Sequence, residues 1–499
     1  MARYYVGLDA GSSICKAAIF DRDGRQLSEA ARRTPLSRPN RGWSELDPDT
    51  SWNATLAVIA EAVASSGIDP AEIGGIGLSA AMVGAWIVDG DGMALRPGII
   101  WEDSRSQPII DEMVARDPGV LSRIFLSSGS VMQQGCTLPV VAWLARHEPE
   151  MLARARHVLS YKDYLRLKLT GKVATDRSEA SVIPGSAEAR DRSDAMITLF
   201  DLGPFRPLFP EVRNSEEFIG GLTETVANRL GLPAGLPVTI GAGDVAATVI
   251  GAGGLHAGSA IAVLGTTVMV GICHDRPVFA PADVGLLFSL PGDLWYRSMV
   301  NVAGTLNLDW AIETLAPDLA PPPDRYQRVT ALAESVPIGA RDLVYLPYLS
   351  ESGIIAPVVD PAARAQFSGL SPRHGRAELF RAVFEGVAFA LRDLFDTLGF
   401  VDGSVLLTGG GGRSAFWSQM IADILARPIV VPEGTQFGAR GAALLAATAA
   451  GDFANIREAS AAVRGGGVTY HPDLSRSHAY TEAHARYRHH RDRLLMKDL

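Results

Sequence analysis

The chain has 499 residues, 47% of them apolar and 20% charged, with three cysteines and a formal net charge of −9. That length accommodates two or three domains with cores of their own, and the widely spaced Cys15, Cys136 and Cys273 argue against a disulfide framework or a structural zinc site. The negative balance gives no overall attraction to nucleic acid or an anionic membrane, so small-molecule chemistry in a reducing cytoplasm is the expectation.

The opening reaches an acid at Asp9 before any apolar stretch of signal length, so export is not expected. Residues 4–8, 14–20 and 25–30 read as a three-stranded meander, with turns at D-A-G-S-S and D-R-D-G. Asp47-Pro48 reads as an N-cap followed by a first-turn proline, opening an amphipathic helix through Trp52, Leu56, Ile59 and Val63. A strand over 74–80 follows. From Val245 to Cys273 there is no Asp, Glu, Lys or Arg, but six glycines break the run, and it is expected to form a buried hairpin rather than a membrane span. Within it, strand 260–264, a Gly-Thr-Thr turn and strand 268–272 repeat the logic of the opening. Helix 376–397, strand 405–408, a run of four glycines, helix 414–425, strand 428–431 and helices from about 451 complete the chain. Two α/β lobes are implied, 1–253 and 254–499, joined near Gly243 to Gly258.

Phosphoryl transfer needs a backbone cradle for phosphates, a carboxylate for Mg²⁺ and a base near the acceptor hydroxyl. No Walker-type G-x-x-x-x-G-K-[ST] run occurs. The cradle candidates are Asp9-Ala10-Gly11-Ser12-Ser13 with Lys16, and Gly265-Thr266-Thr267, since hairpin turns of small residues present successive N–H groups to an anion. Taken alone, D-A-G-S-S is also an ordinary tight turn. Asp244, in G-A-G-D-V-A-A, is a helix N-cap on the plain reading and a general base on the chemical one. Trp101, Asp103 and Arg105 combine an aromatic wall with hydrogen-bonding groups, as a polyol pocket requires, or form a solvated loop around one core tryptophan. Met82-Val83-Gly84 is read as core or as sugar contact. His484, His489 and His490 read as a solvated helix face. Gly410-Gly411-Gly412-Arg413-Ser414-Ala415 fits a dinucleotide-binding fingerprint and equally a turn that holds adenosine.

Across roughly residues 3 to 450 these motifs, in order, resemble the FGGY family of carbohydrate kinases. The residues V-G-L-D-A-G-S-S-I-C-K-A resemble its first phosphate motif, G-A-G-D-V-A-A its catalytic-aspartate motif and L-G-T-T its second phosphate motif. Y-L-P-Y-L-S-E-S-G, F-E-G-V-A-F-A-L-R-D and L-T-G-G-G-G-R-S-A-F-W-S-Q-M-I-A-D-I-L resemble its C-terminal signatures. The resemblance implies two ribonuclease-H-like domains flanking a cleft, with ATP and Mg²⁺ as cofactors and a small sugar or polyol as substrate. It assigns Asp244 as base, Asp9 to Mg²⁺, Gly11, Ser12, Ser13, Lys16, Gly265, Thr266 and Thr267 to the phosphates, and Gly410, Gly411 and Ser414 to the adenosine side. Met82, Val83, Trp101 and Asp103, with Asp244, are then the substrate contacts. Two positions depart from the family: Ser12 stands where threonine is usual, and Val83 replaces the histidine of the Met-His-Gly typical of xylulokinases. Xylulose is the first expectation, then another pentulose, erythritol or a related polyol. An NAD-linked dehydrogenase and an actin-like nucleotide switch are the rivals from other classes, and a homodimer is left open.

Overall fold

A computed structural model describes residues 4–319, 324–400, 402–463 and 466–495. The opening meander forms as expected: β1 (Tyr4–Ala10), β2 (Ile14–Asp21) and β3 (Gln26–Arg33) run antiparallel, with Asp9 opposite Lys16. Helix α1 (Pro48–Ser66) starts where Asp47 accepts the Thr50 N–H, and it stops at Gly67, whose φ of 71° suits a residue without a Cβ. Strand β4 (Ile73–Ala80) then lies parallel to β1. Further out, β5 (Phe218–Gly221) pairs with β6 (Pro237–Thr239), which pairs with β4. The first sheet thus runs β5-β6-β4-β1-β2-β3, with β7 (Ala242–Gly243) also on β4.

The second lobe repeats the plan. β8 (Ala260–Leu264) and β9 (Val268–His274) form its leading hairpin, continued by β10 (Leu286–Leu290) and β11 (Leu294–Asn301), while β12 (Val405–Thr408) and β13 (Ile429–Pro432) are added in parallel on the other side. The order is β10-β11-β9-β8-β12-β13-β14, where β14 is Gly467–Tyr470. In both lobes antiparallel strands lead, three in the first and four in the second, and parallel strands follow beside the first strand, which is the ribonuclease-H-like arrangement expected from the sequence.

Three features differ from the sequence-based expectations. The apolar run from Val245 is not all hairpin: its first part is helix α2 (Asp244–Gly251), buried between the lobes, and among the described residues no helix is long and apolar enough to cross a membrane. The tail is not wholly helical, since β14 extends the second sheet antiparallel to β13. Its last helix, α5 (Leu474–Leu495), is not a simple solvated face either. His484 is buried and 2.8 Å from Asp393, which also takes the Arg491 guanidinium at 2.5 Å, and Tyr487 packs on Phe389.

The lobes are locked by helix α4 (Phe437–Ala449), which follows helix α3 (Ala415–Leu425) and β13 but leaves the second sheet to cover the first. Side chains alternate along β1, so Val6, Leu8 and Ala10 face α1 while Tyr5, Gly7 and Asp9 face α4. Bare glycines allow this approach. A Cβ on Gly7 would lie 1.9 Å from the Ala439 carbonyl oxygen, one on Gly77 1.7 Å from that of Ala442, and one on Gly441 1.9 Å from that of Ala247 in α2.

Candidate active site

The two leading hairpins and the start of α2 carry the chemistry-bearing residues. In the first hairpin the Gly11 N–H donates to the Ile14 carbonyl at 3.0 Å, leaving Ser12 and Ser13 at an accessible tip. In the second, the Gly265 N–H bonds the Thr267 carbonyl at 3.0 Å, and the N–H groups of Gly304 and Thr305 hold the turn from behind, with Thr266 and Thr267 exposed. The glycine run lies against this second turn: a Cβ on Gly409 would be 2.5 Å from the Leu264 carbonyl oxygen, and Gly411 packs on the Leu264 side chain. Gly410 faces open space. Ser414 has a plainer task, since its hydroxyl caps α3 by accepting the Trp417 N–H at 3.2 Å.

Asp9 ends β1 on the α4 side. Its carboxylate accepts from Ser79 Oγ at 3.2 Å, and a Cβ on Gly438 would be 2.5 Å from its Oδ2. Burial raises its proton affinity, against the pull of Lys16 and the Ser79 hydroxyl. Asp244 is the first helical residue of α2 and not its N-cap, a place taken by Gly243. Its Oδ1 accepts the adjacent Val245 N–H at 2.8 Å. Burial, with a smaller push from the Asp9 charge, raises its carboxyl to about 7. Two carboxylates thus share one electrostatic neighbourhood in which Lys16 is the cation acting on Asp9. That donor set fits a hard divalent ion, which takes oxygen ligands and relieves such repulsion.

The sugar-side residues divide. Trp101 is 47% exposed and its indole N–H donates to Ser12 Oγ at 3.0 Å, so the aromatic wall joins the first hairpin directly. Met82 packs on Gly243, beside Asp244, where a Cβ would meet its sulfur at 2.4 Å. Val83 follows with φ of 56°, a conformation that β-branched residues rarely adopt. Asp103 does not join them. It is fully buried, grips Arg105 through both oxygens at 2.9 and 2.8 Å and takes the Ser44 N–H at 2.7 Å. Arg105 also bonds Glu45 at 2.7 Å and stacks over Trp43. The expectation of a substrate contact at Asp103 is therefore corrected: the aspartate and arginine that resembled a polyol clamp form an internal brace for the loop bearing Trp101.

Sequence reasoning missed a buried polar cluster behind Met82 and Asp244, made of Lys162, Asp163, Arg166, Asp176, Ser178 and Glu179, all buried. The segments K-D-Y-L-R and T-D-R-S-E-A-S carried the only signal, charges placed among apolar residues of short helices.

Family models for the N-terminal and C-terminal domains of the FGGY carbohydrate kinases match residues 4–251 and 260–450. The chain belongs to the FGGY family of carbohydrate kinases. It is 34% identical to the xylulose kinase of Escherichia coli strain K12 over 453 residues, covering 89% of this chain and 90% of that protein. It is 31% identical to the erythritol kinase of Brucella abortus strain 2308 over 509 residues, covering 97% and 95%. The crystal structure of xylulose kinase from Rhodospirillum rubrum superposes with a TM-score of 0.87 at 28% identity, covering 99% of each chain. The protein is accordingly a sugar kinase, a phosphotransferase of a family that uses ATP. The glycine run that fits a dinucleotide fingerprint falls inside the C-terminal family match, as part of a kinase lobe.

Proposed function

We propose that the protein transfers the γ-phosphoryl group of ATP to a hydroxyl of a ketopentose, best represented by xylulose, in a cleft between lobes 1–253 and 254–499, with Asp244 as general base. The observation that carries this reading is the place of Asp244, the first residue of α2, beside Met82 on Gly243 and near Asp9, where burial and the Asp9 charge raise its carboxyl to about 7. A base of that strength is half ionised near neutrality and still accepts a proton readily. Gly11, Ser12, Ser13 and Lys16 on one side, and Gly265, Thr266 and Thr267 on the other, offer N–H, hydroxyl and ammonium donors to the phosphates. Gly411, packed on Leu264 before the second turn, with Gly410 and Ser414 to either side of it in sequence, would take the adenosine side. Asp9 would hold Mg²⁺ directly or through water, and the bound ion supplies neutralising charge to the phosphate oxygens. Asp244 takes the proton of the acceptor hydroxyl as its oxygen bonds to the γ-phosphorus. The bond from that phosphorus to the bridging oxygen breaks, and ADP leaves with the electron pair.

Met82, Val83 and Trp101 form the acceptor side. A polyol such as erythritol is the second reading, favoured by Val83, which supplies no polar ring where xylulokinases carry histidine, and by the 31% identity to an erythritol kinase across 97% of the chain.

ADP release with MgATP across xylulose, ribulose, erythritol, xylitol, ribitol and glycerol tests both readings. Asp244→Asn is expected to fold, to bind nucleotide and to lose transfer by about 10²- to 10⁴-fold; near-normal turnover in that protein would remove Asp244 from the role.

A further inference from the structure

Helix 177–182, six residues long, lies behind Met82 and Gly243, and all of its residues after Arg177 are buried. At its start the Asp176 carboxylate accepts from the Ser178 N–H at 2.9 Å, from Ser178 Oγ at 2.5 Å and from Ser215 Oγ at 2.9 Å. Ser178 Oγ, its proton given to Asp176, accepts the N–H of Gly243 at 2.9 Å, one residue before Asp244. The next residue, Glu179, accepts the Val83 N–H at 2.6 Å through Oε1, at the position where Val83 holds its left-handed φ. Lys162 lies 2.6 Å from Asp163 and 3.0 Å from Asp176, and Arg166 reaches both Asp163 and the Ile240 carbonyl.

We propose that Ser178 and Glu179 are positioning residues, two adjacent side chains of one buried turn that fix two adjoining walls of the acceptor site: Ser178 sets the peptide that aims Asp244, and Glu179 sets the peptide that aims Met82 and Val83. The inference rests on the kinase reading given above, with Asp244 as base and Val83 at the substrate.

The charges explain why the arrangement holds. Two buried cations, Lys162 and Arg166, face two carboxylates, Asp163 and Asp176, and burial raises the third acid, Glu179, to about 8. Glu179 is then a neutral acid near neutrality, acting through its carbonyl oxygen, and glutamine is a close replacement for it in shape, charge and acceptor capacity. Ser178 is likewise required for one acceptor oxygen, which threonine retains and alanine lacks. The two peptides meet different partners in the reaction, so their loss separates kinetically. A misaimed base slows the chemical step after binding, whereas a displaced Val83 turn alters the fit of the bound sugar.

Steady-state kinetics of the full-length protein, with MgATP and the best acceptor of the panel, test this. Ser178→Ala is expected to lower kcat by about tenfold with both KM values within about twofold, and Ser178→Thr to restore it. Glu179→Ala is expected to raise the sugar KM by about tenfold with the ATP KM unmoved, and Glu179→Gln to stay within about twofold of the parent. Where an alanine protein does not fold, Ser178→Cys or Glu179→Met takes its place with the same expectation, since each fills the space without a good acceptor. Unchanged kcat in a folded Ser178→Ala, equal losses in Glu179→Ala and Glu179→Gln, or a uniform fall of every parameter would each overturn the proposal. A parent protein silent with every acceptor would instead overturn the kinase reading beneath it, and the inference with it.

Discussion

Glu179 sits where burial favours its protonated form. Its proton affinity in the folded chain, raised to about 8 by burial and by the neighbouring Asp163 and Asp176 against the pull of Lys162, exceeds the ordinary glutamate value of 4.5. Between these values the native chain binds more protons than the unfolded one. The stability that this group contributes is therefore complete below about pH 4.5 and is lost as pH rises through about 8, with a slope of at most about 1.4 kcal/mol per pH unit. Glu179→Gln carries no titrating proton, so its urea midpoint should fall less steeply than that of the parent between about pH 5 and 8. Parallel curves would place the pH dependence in another group. Asp9 and Asp244 stood out in the sequence as acids among small residues, each with a plain turn or capping reading beside the chemical one, and the fold brings the two into one electrostatic neighbourhood. Lys162, Ser178 and Glu179 were not, because a charged residue in a short helix has the same one-dimensional pattern whether water or protein surrounds it. Asp103 misled for the same reason: its neighbours suggested a pocket, while its partners Arg105 and Ser44 close it off.

At the scale of elements, the hairpins, the capped helix after Asp47 and the strand before the glycine run were readable from local rules. Turn residues, β-branched runs and an Asp-Pro cap act within a few residues of themselves. The role of α4 was not readable, because its F-G-A-R-G-A-A-L-L-A-A-T-A sequence is merely a good helix until the bare strand positions Gly7 and Gly77 are seen beneath it. That contact sets a geometric prediction. Gly7→Ala drives a Cβ to 1.9 Å from the Ala439 carbonyl oxygen, and backbone on both sides cannot yield cheaply. A loss of about 3 kcal/mol or more in chemical denaturation is expected. Gly438→Ala puts its Cβ 2.5 Å from Asp9 Oδ2, and a side chain can move where a backbone cannot. The expected result is a folded protein with a displaced Asp9, needing at least about tenfold more Mg²⁺ for half-maximal activity. Unaltered Mg²⁺ dependence in that variant would detach Asp9 from the metal.

The molecule as a whole is divided by sequence and joined by packing. Tyr5, Ala18 and Phe20 of the first sheet share a core with Ala439, Ala443 and Ala446 of α4, and the Tyr5 hydroxyl donates to Asp452 at 2.7 Å. On the opposite side, Val131 and Arg297 carry hydrogen bonds between the lobes, to the carbonyls of Gly285 and Gly129. The segment 1–253 expressed alone should therefore fail to unfold cooperatively and should bind a dye specific for exposed apolar surface, whereas co-expression with 254–499 should recover a soluble, two-piece protein. A sharp, cooperative transition for 1–253 alone would show that α4 covers a sheet already complete. The same crossing bears on how the protein is made. A ribosome adding roughly 5–20 residues per second takes on the order of ten to forty seconds to go from the end of the first lobe to the end of α4. Throughout that interval the nascent chain carries Tyr5, Phe20 and the bare glycine strands without their cover, so the vulnerable period of its synthesis is set by how late in the message α4 is encoded.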